Sequence, residues 1–319
     1  MKTKGELPLV SVVIPAFRAM DTLPTTIKSL LAEGQHIYKI YVIEDGVFDE
    51  TKSVVFDFPK IELIQLEKNR GGSFARNIGL KNVVTPYVFF IDADDKIEGG
   101  LIRGMLDCIE AYKADVCFGP CKVVSGKKVT FVNAEPEDET VRYNVARRWL
   151  TGKYGPGTCA VLWRSHSIRS IGGWDEDLSR NQDGDLMIRA SLSGLKFCIS
   201  YEGAGLYLKN ASTSVSKSVN DSAFRSLERV GLKAEVQIAA LSQTDELKFS
   251  LKIYWALLSL LAFRERRDEL AQRYFQYSDR KALEQAEMHW SLRFLIRVLG
   301  IRYGSIFWET LRRLKRTLI

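Results

Sequence analysis

The sequence lacks a long apolar run: its most hydrophobic stretch, residues 254–263, has ten residues, half of the roughly twenty that a membrane-spanning helix requires. Residues 1–6 carry neither an apolar segment nor a small-residue cleavage site, so no secretory leader is expected. No Cys-x-x-Cys pair occurs either. The five cysteines, at 108, 117, 121, 159 and 198, are odd in number and scattered, which argues against a disulfide framework or a zinc site and for buried thiols in a reducing compartment. The three histidines, His36, His166 and His289, belong to no motif and read as structural or surface side chains. These absences leave a cytoplasmic protein, or one resting peripherally on the inner face of the cell membrane.

A broad basic surface is also missing. The formal net charge is +7, yet residues 291–319 hold seven Arg or Lys against Glu309 alone, which leaves the rest of the chain nearly neutral. A groove that tracks phosphates would spread Lys and Arg over the main domain, so no nucleic acid is expected as a partner. What is present is a composition 46% hydrophobic and 27% charged over 319 residues, enough for one large α/β domain and a second, smaller region.

Residues 9–118 alternate short apolar runs with helical patterns, the mark of βαβ units and a mostly parallel sheet covered on both faces. Strands are expected at 9–14, stopped by Pro15, and at 37–43, 61–66 and 87–91. One helix is expected from Asp21 or Thr22, with Leu23, Ile27, Leu30 and Leu31 at helical spacing, and another over 74–83 with Ile78 facing inward. From 122 to 207 short strands, at 122–124, 129–132, 160–163 and 196–200, mix with helical pieces around Gly155-Pro156-Gly157; this half is expected to shape an acceptor pocket. Beyond about Ser216 helical signals run to the end.

Two strands run into carboxylates, one into Glu44-Asp45-Gly46 and one into Asp92-Ala93-Asp94-Asp95. Ligands of open parallel sheets bind beyond the carboxyl ends of the strands, so both clusters are expected to face one cleft. Three carboxylates within four positions repel one another unless a cation or solvent offsets them. A hard divalent ion, Mn2+ or Mg2+, is a natural partner, because one or two carboxylates and substrate phosphates complete its shell. The alternative is an acidic turn that caps a helix starting near Glu98. Asp45 suits hydrogen bonds from a base imide or a ribose hydroxyl, or from backbone donors of its own turn. In Asn69-Arg70-Gly71-Gly72-Ser73 two glycines open a helix whose amides can approach an anion, without the Gly-Lys-Ser or Gly-Lys-Thr ending of a phosphate loop. Arg76 on that helix either braces the acidic cleft or lies on the surface.

Taken with residues 12–17 (Val-Val-Ile-Pro-Ala-Phe), the 69–79 segment, Arg164, Gly172-Gly173-Trp174-Asp175-Glu176, and Gln182-Asp183-Gly184-Asp185-Leu186 followed by Arg189, these motifs resemble the family-2 inverting glycosyltransferases. The resemblance covers about residues 8–216. It implies an α/β GT-A fold, Rossmann-like, with a mixed sheet and helices on both faces, followed by a helical C-terminal region. It further implies a nucleotide site at Pro15, Ala16, Phe17, Glu44, Asp45, Arg76, Asp92 and Ala93, with Asp45 on the base and Asp92 on the ribose. Asp94 would bind the metal, Asp183 would be the catalytic base, and Asp95, Trp174, Gln182 and Asp185 would serve as acceptor or accessory residues. Relatives often carry a His before a Ser-x-Ser element; here Asn210 precedes Ser214-Val215-Ser216, and Lys209 is expected to take part of that His's charge role.

The implied reaction moves a sugar from a nucleotide-sugar donor, a UDP-sugar, to a growing and lipid-linked glycan of a bacterial cell-surface polysaccharide, inverting the anomeric centre in one displacement. An ionised carboxylate within reach of the acceptor hydroxyl can take its proton as an oxocarbenium-like transition state develops, which suits Asp183. Otherwise Asp183 or Asp185 complements the dipole of a helix over 183–193. A non-catalytic nucleotide-sugar- or glycan-binding protein on the same scaffold is the rival class. Domains are expected at 1–215 and 216–319. The amphipathic, basic tail at 291–319 suits the interface of an anionic membrane, or packing against the catalytic domain.

Overall fold

The computed structural model describes residues 10–46, 53, 55, 58, 60–132, 143–153, 155–208, 219–242 and 244–285. Lys209, Asn210, the Ser214–Ser216 element and the 291–319 tail lie outside these residues. Contacts divide the chain into two compact units, Met1–Arg142 with Gly155–Ser218, and Tyr143–Tyr154 with Val219–Ile319.

In chain order the described elements begin with β1 (Val10–Ala16), α1 (Leu23–Leu31), β2 (Ile37–Asp45), β3 (Ile61–Leu66), α2 (Gly72–Asn82), β4 (Tyr87–Phe90) and β5 (Lys96–Glu98). Next come α3 (Leu101–Ala111), β6 (Val116–Phe118), β7 (Cys121–Ser125), β8 (Lys128–Val132) and α4 (Asn144–Leu150). A 3-10 turn, Thr158–Ala160, leads into β9 (Val161–Arg164), α5 (Ser165–Ser170), α6 (Gln182–Leu192), β10 (Phe197–Ile199) and β11 (Ala204–Leu208). The helices α7 (Asp221–Ala239), α8 (Asp245–Arg264), α9 (Asp268–Phe275) and α10 (Arg280–Gln285) follow.

The main sheet has the order β10-β6-β9-β4-β1-β2-β3. It is parallel except for β9, which runs antiparallel to both β4 and β6. A smaller sheet, β5-β11-β7-β8, carries the β7–β8 hairpin on its edge. The central strands β1 and β4 are apolar on both faces because the sheet is covered on both sides, and Val12, Ile14, Phe89 and Ile91 join the main core.

Three expectations needed correction. Strand β1 continues through Pro15 to Ala16. Val13 bonds toward β4, accepting from the Ile91 amide at 3.2 Å, and Pro15 has the same parity; the β4 ladder stops at the Val13–Phe90 pair, so the missing N–H costs no ladder bond. The segment after the acidic loop forms β5, and the helix starts only at Leu101, after Gly100 in a left-handed conformation. In α2 the buried positions are Ser73, Ala75, Arg76, Gly79 and Leu80, with Ile78 only half-buried. A Cβ at Gly79 would lie 2.3 Å from Val13 Cγ1, so small residues let this helix approach β1 closely.

In the second unit, Trp255 is buried on α8, stacked on Tyr274 and edge-on to Tyr254. Gly231 on α7 leaves room for it, since a Cβ there would meet Trp255 Cζ2 at 2.6 Å. Helix α4 comes earlier in sequence than β9 yet packs with α8, and Arg147 pairs with Glu246 at 3.0 Å. Asn220 caps α7, its Oδ1 accepting from the Ala223 amide at 2.9 Å. Among the described residues no helix is long and apolar enough to cross a membrane.

Candidate active site

Strand β1 has β2 on one side and β4 on the other, all parallel. The chain crosses from one side of β1 to the other between β3 and β4, so the carboxyl edge of these strands is a topological switch point, where open α/β sheets hold ligands. Ala16 pairs with Glu44 at this edge. Ala16 is buried, whereas Phe17 is exposed, with the Arg18 guanidinium 5.2 Å from its ring centre.

Asp45 closes β2 and fastens the loop that leads into α2. Its Oδ1 accepts from the Arg70 amide at 2.7 Å and its Oδ2 from the Gly71 amide at 2.8 Å. Gly46 must be glycine: its φ is +74° and a Cβ would fall 2.0 Å from the Asn69 nitrogen. Glu44 is buried and accepts from Gln65 Nε2 at 2.5 Å.

The acidic loop is cinched from α1. Thr26 is fully buried, and its hydroxyl lies 2.9 Å from the Ala93 carbonyl and 2.7 Å from the Asp95 carbonyl. Asp95 points into the protein, where its Oδ1 accepts from the Leu208 amide at 3.0 Å. Burial, and then the Asp92 carboxylate, push its pKa well above the ordinary value. Asp94 is half-buried, and burial followed by Asp92 raises its pKa as well.

Arg76 ties these pieces to α6. The guanidinium is buried, with Nη2 2.5 Å from Asp92 Oδ1, Nη1 3.0 Å from Gln182 Oε1, and its carbon 4.6 Å from the Trp174 ring centre. Burial pulls its pKa down, and the nearby Asp92, Asp183 and Asp95 carboxylates outweigh that and raise it. Among the described residues Arg76 Nε has no hydrogen-bond partner. Trp174 is held in place by Asn77, whose side chain exchanges 2.9 Å bonds with the Trp174 amide and carbonyl, and by edge-on contact with Phe90.

Asp183 lies in the first turn of α6 without a capping role; the cap position is Asn181, in a left-handed conformation. Its Oδ1 accepts from the Thr158 hydroxyl at 2.8 Å. Burial raises its pKa; Arg76 opposes that, Asp92 adds to it, and the Thr158 bond lowers it. Asp185, expected among the acceptor or accessory residues, is instead sealed in the interior. It accepts from Arg189 Nε at 2.8 Å and pairs with Nη2 at 2.6 Å, while Arg189 also donates to the Ile171 and Gly173 carbonyls at 2.6 and 2.8 Å. This pair fixes the Gly172-Gly173 turn that delivers Trp174.

The fold thus brings Asp92, Arg76, Gln182, Trp174 and Asp183 into one connected group and turns Asp95 and Asp185 away from it. Thr26 and Thr158 were not anticipated. A lone Thr inside an apolar helix face, or after a Gly-rich turn, carries no local signal of its distant partner. The donor set fits a hard divalent cation at Asp94: the carboxylate is half-buried, its pKa is raised, and among the described residues no basic side chain pairs with it.

Amylovoran biosynthesis glycosyltransferase AmsB of Erwinia amylovora is 27% identical over 199 residues, which cover 59% of this chain and 65% of that protein. Succinoglycan biosynthesis protein ExoO of Rhizobium meliloti is 30% identical over 122 residues, 38% of this chain and 35% of that protein. The chain therefore spans less than two thirds of these relatives. The crystal structure of S. aureus TarS 1-349 in complex with UDP-GlcNAc matches with a TM-score of 0.71 at 17% identity, over 96% of this chain and 92% of that one, and the fold is GT-A. Residues 11–169, about half of the chain, match the model for glycosyl transferase family 2. They include β1, the acidic loop, Arg76 and Thr158, and on this match the chain belongs to glycosyl transferase family 2.

Proposed function

We propose that the chain transfers a glycosyl group from a UDP-sugar to a hydroxyl of a growing, lipid-linked bacterial cell-surface polysaccharide, inverting the anomeric centre, with Asp183 as the base. The observation that carries this reading is the Asp183 environment: a half-buried carboxylate whose pKa desolvation raises, one hydroxyl tether among the described residues and a neighbouring Arg76–Asp92 pair. A base is most effective when its pKa approaches the working pH, and desolvation moves Asp183 in that direction. The UDP-GlcNAc bound to TarS supports the UDP donor. The names of AmsB and ExoO support the polysaccharide setting.

In this reading Asp45 and Asp92 receive the uridine. Asp45 accepts one amide on each oxygen, and each carboxylate oxygen keeps a further lone pair for an imide N–H. Arg76 holds Asp92 in place and keeps the field around Asp183 from becoming wholly negative. Asp183 takes the acceptor proton as the hydroxyl attacks the anomeric carbon opposite the departing diphosphate. A Mn2+ or Mg2+ ion bound at Asp94 would supply charge stabilisation to that leaving group. The proposed setting is the inner face of the cell membrane, which the basic and apolar composition of residues 291–319 supports.

Melting the protein with UDP, GDP, CMP or dTDP, each with and without Mn2+, tests the donor site. UDP with Mn2+ at a hundred times its dissociation constant is expected to add about 2.7 kcal/mol of stability, and Asp94→Asn to abolish the metal-dependent part. A response to another nucleotide, or one indifferent to Mn2+, overturns the donor or metal assignment. Product NMR then decides the stereochemistry: a retained anomeric configuration excludes Asp183 as the base of a single displacement.

A further inference from the structure

Cysteines that are scattered in sequence converge at the far side of the main sheet. Cys117 on β6 and Cys198 on β10 are register partners in a parallel pair, so their side chains share a face. Cys108, on α3, packs against the same core. The three Sγ atoms all lie within 4.8 Å of one another. The Cys117 thiol donates to the Phe118 carbonyl at 3.6 Å and the Cys108 thiol to the Ile199 carbonyl at 3.3 Å. Among the described residues no carboxylate or imidazole belongs to the group. Strand β6 is separated from β1 by β9 and β4, about 14 Å at ordinary strand spacing.

We propose that Cys108, Cys117 and Cys198 form a three-thiolate site for a soft divalent metal ion of the Zn2+ class, separate from the acidic loop. A metal–sulfur bond of about 2.3 Å in a trigonal centre sets sulfur atoms about 4.0 Å apart. The trio therefore needs to contract by no more than about 0.8 Å from its upper spacing. Thiolates select soft ions and leave Mg2+ and Mn2+ to oxygen ligands, so this site and Asp94 do not compete for one ion. Binding forms three metal–sulfur bonds and releases three thiol protons to solvent, with no electron transferred. Cys117 and Cys198 are buried whereas Cys108 is partly exposed, which gives an ion a path from the surface. The bound ion would link α3 to the edge strand β10 and to β6, three segments that are distant in sequence.

Cd2+ titration of the full, reduced chain tests the site, followed by the ultraviolet thiolate-to-Cd2+ charge-transfer band and by proton release. One Cd2+ per chain and three protons are expected. Cys108→Ser changes a partly exposed helix position and should fold normally. It should lower Cd2+ affinity by more than the 10- to 100-fold, roughly, that loss of an outer-shell partner causes. The double variant Cys121→Ser, Cys159→Ser, at the two buried free cysteines outside the trio, should keep the band, which shows that the band belongs to the trio. No saturating band in the unmodified chain overturns the proposal, as does a band that survives Cys108→Ser undiminished.

Discussion

Asp183 and Asp185 stand two residues apart in the first turn of one helix, yet they have opposite surroundings. Two residues on a helix point to nearly opposite sides. Asp185 faces inward onto Arg189, which clamps it with two nitrogens and reaches the Gly172-Gly173 turn besides. Asp183 faces the acidic loop, with one hydroxyl tether, a cation shared with Asp92, and enough burial to raise its pKa. The first arrangement is closed and structural. The second leaves a carboxylate under-compensated, which costs stability and equips the group to take a proton.

The largest expected effect separates the two outright. Asp183→Asn should lower the transfer rate by about 10^2–10^4-fold, the range assigned to a positioned base, while UDP-dependent stabilisation is preserved. Because burial raises its pKa, the ionised Asp183 costs stability at neutral pH, and that cost is relieved as pH falls toward the raised value. Calorimetry at pH 7 should therefore show an unchanged or higher Tm for Asp183→Asn. A full transfer rate in this variant would remove Asp183 from the mechanism.

Asp185→Ala should give the reverse pattern. It leaves the Arg189 guanidinium buried without its carboxylate, a change that typically costs about 3–5 kcal/mol. Denaturant unfolding should show that loss, while the rate per folded molecule falls far less than in Asp183→Asn. A stable but inactive Asp185→Ala protein would mean that both carboxylates serve the chemistry, and the contrast would fail.

This contrast also marks where the sequence stops being informative. The strand ends that carry Asp45 and Asp92 were legible because buried parallel strands are continuous apolar runs and their acidic ends stand out. Helix α2 was legible in position but not in orientation, since its inward face is made of Ser73, Ala75 and Gly79, which carry little hydrophobic signal. Asp183 and Asp185 look alike in a row of letters; only the fold decides which one meets Arg189. Thr26 and Thr158 act across 67 and 25 residues, and the thiol trio joins Cys108 to Cys198. Such partnerships are tertiary, with no local spacing to reveal them.

Arg76 offers a finer cut, because it is the chief group that lowers the Asp183 pKa against burial. In Arg76→Gln the Asp92 carboxylate loses its partner and Asp183 loses its neighbouring positive charge. In the proposed reaction the rate depends on ionised Asp183, so it is expected to fall on the acid side as pH drops through the Asp183 pKa. With Arg76 removed that pKa rises further, and the acid limb of the pH–rate profile should move to higher pH. An acid limb that stays in place would show that Arg76 acts on the fold of the cleft and not on the base.

Thr158→Val should produce the same displacement in smaller measure. The Thr158 hydroxyl stabilises the ionised form of Asp183 through one hydrogen bond at 2.8 Å, the weakest of the influences acting on that group. Valine keeps the shape of the side chain and removes the donor. The acid limb should again move upward in pH, by less than in Arg76→Gln, and at a pH well above it the rate should fall only by what the loss of orientation costs. Asp185 provides the control: its partners do not include Thr158, so Tm should change little. If Thr158→Val instead lowered the rate equally at every pH, the hydroxyl would be positioning Asp183 without setting its proton affinity, and the under-compensated carboxylate would owe its raised pKa to burial and Asp92 alone.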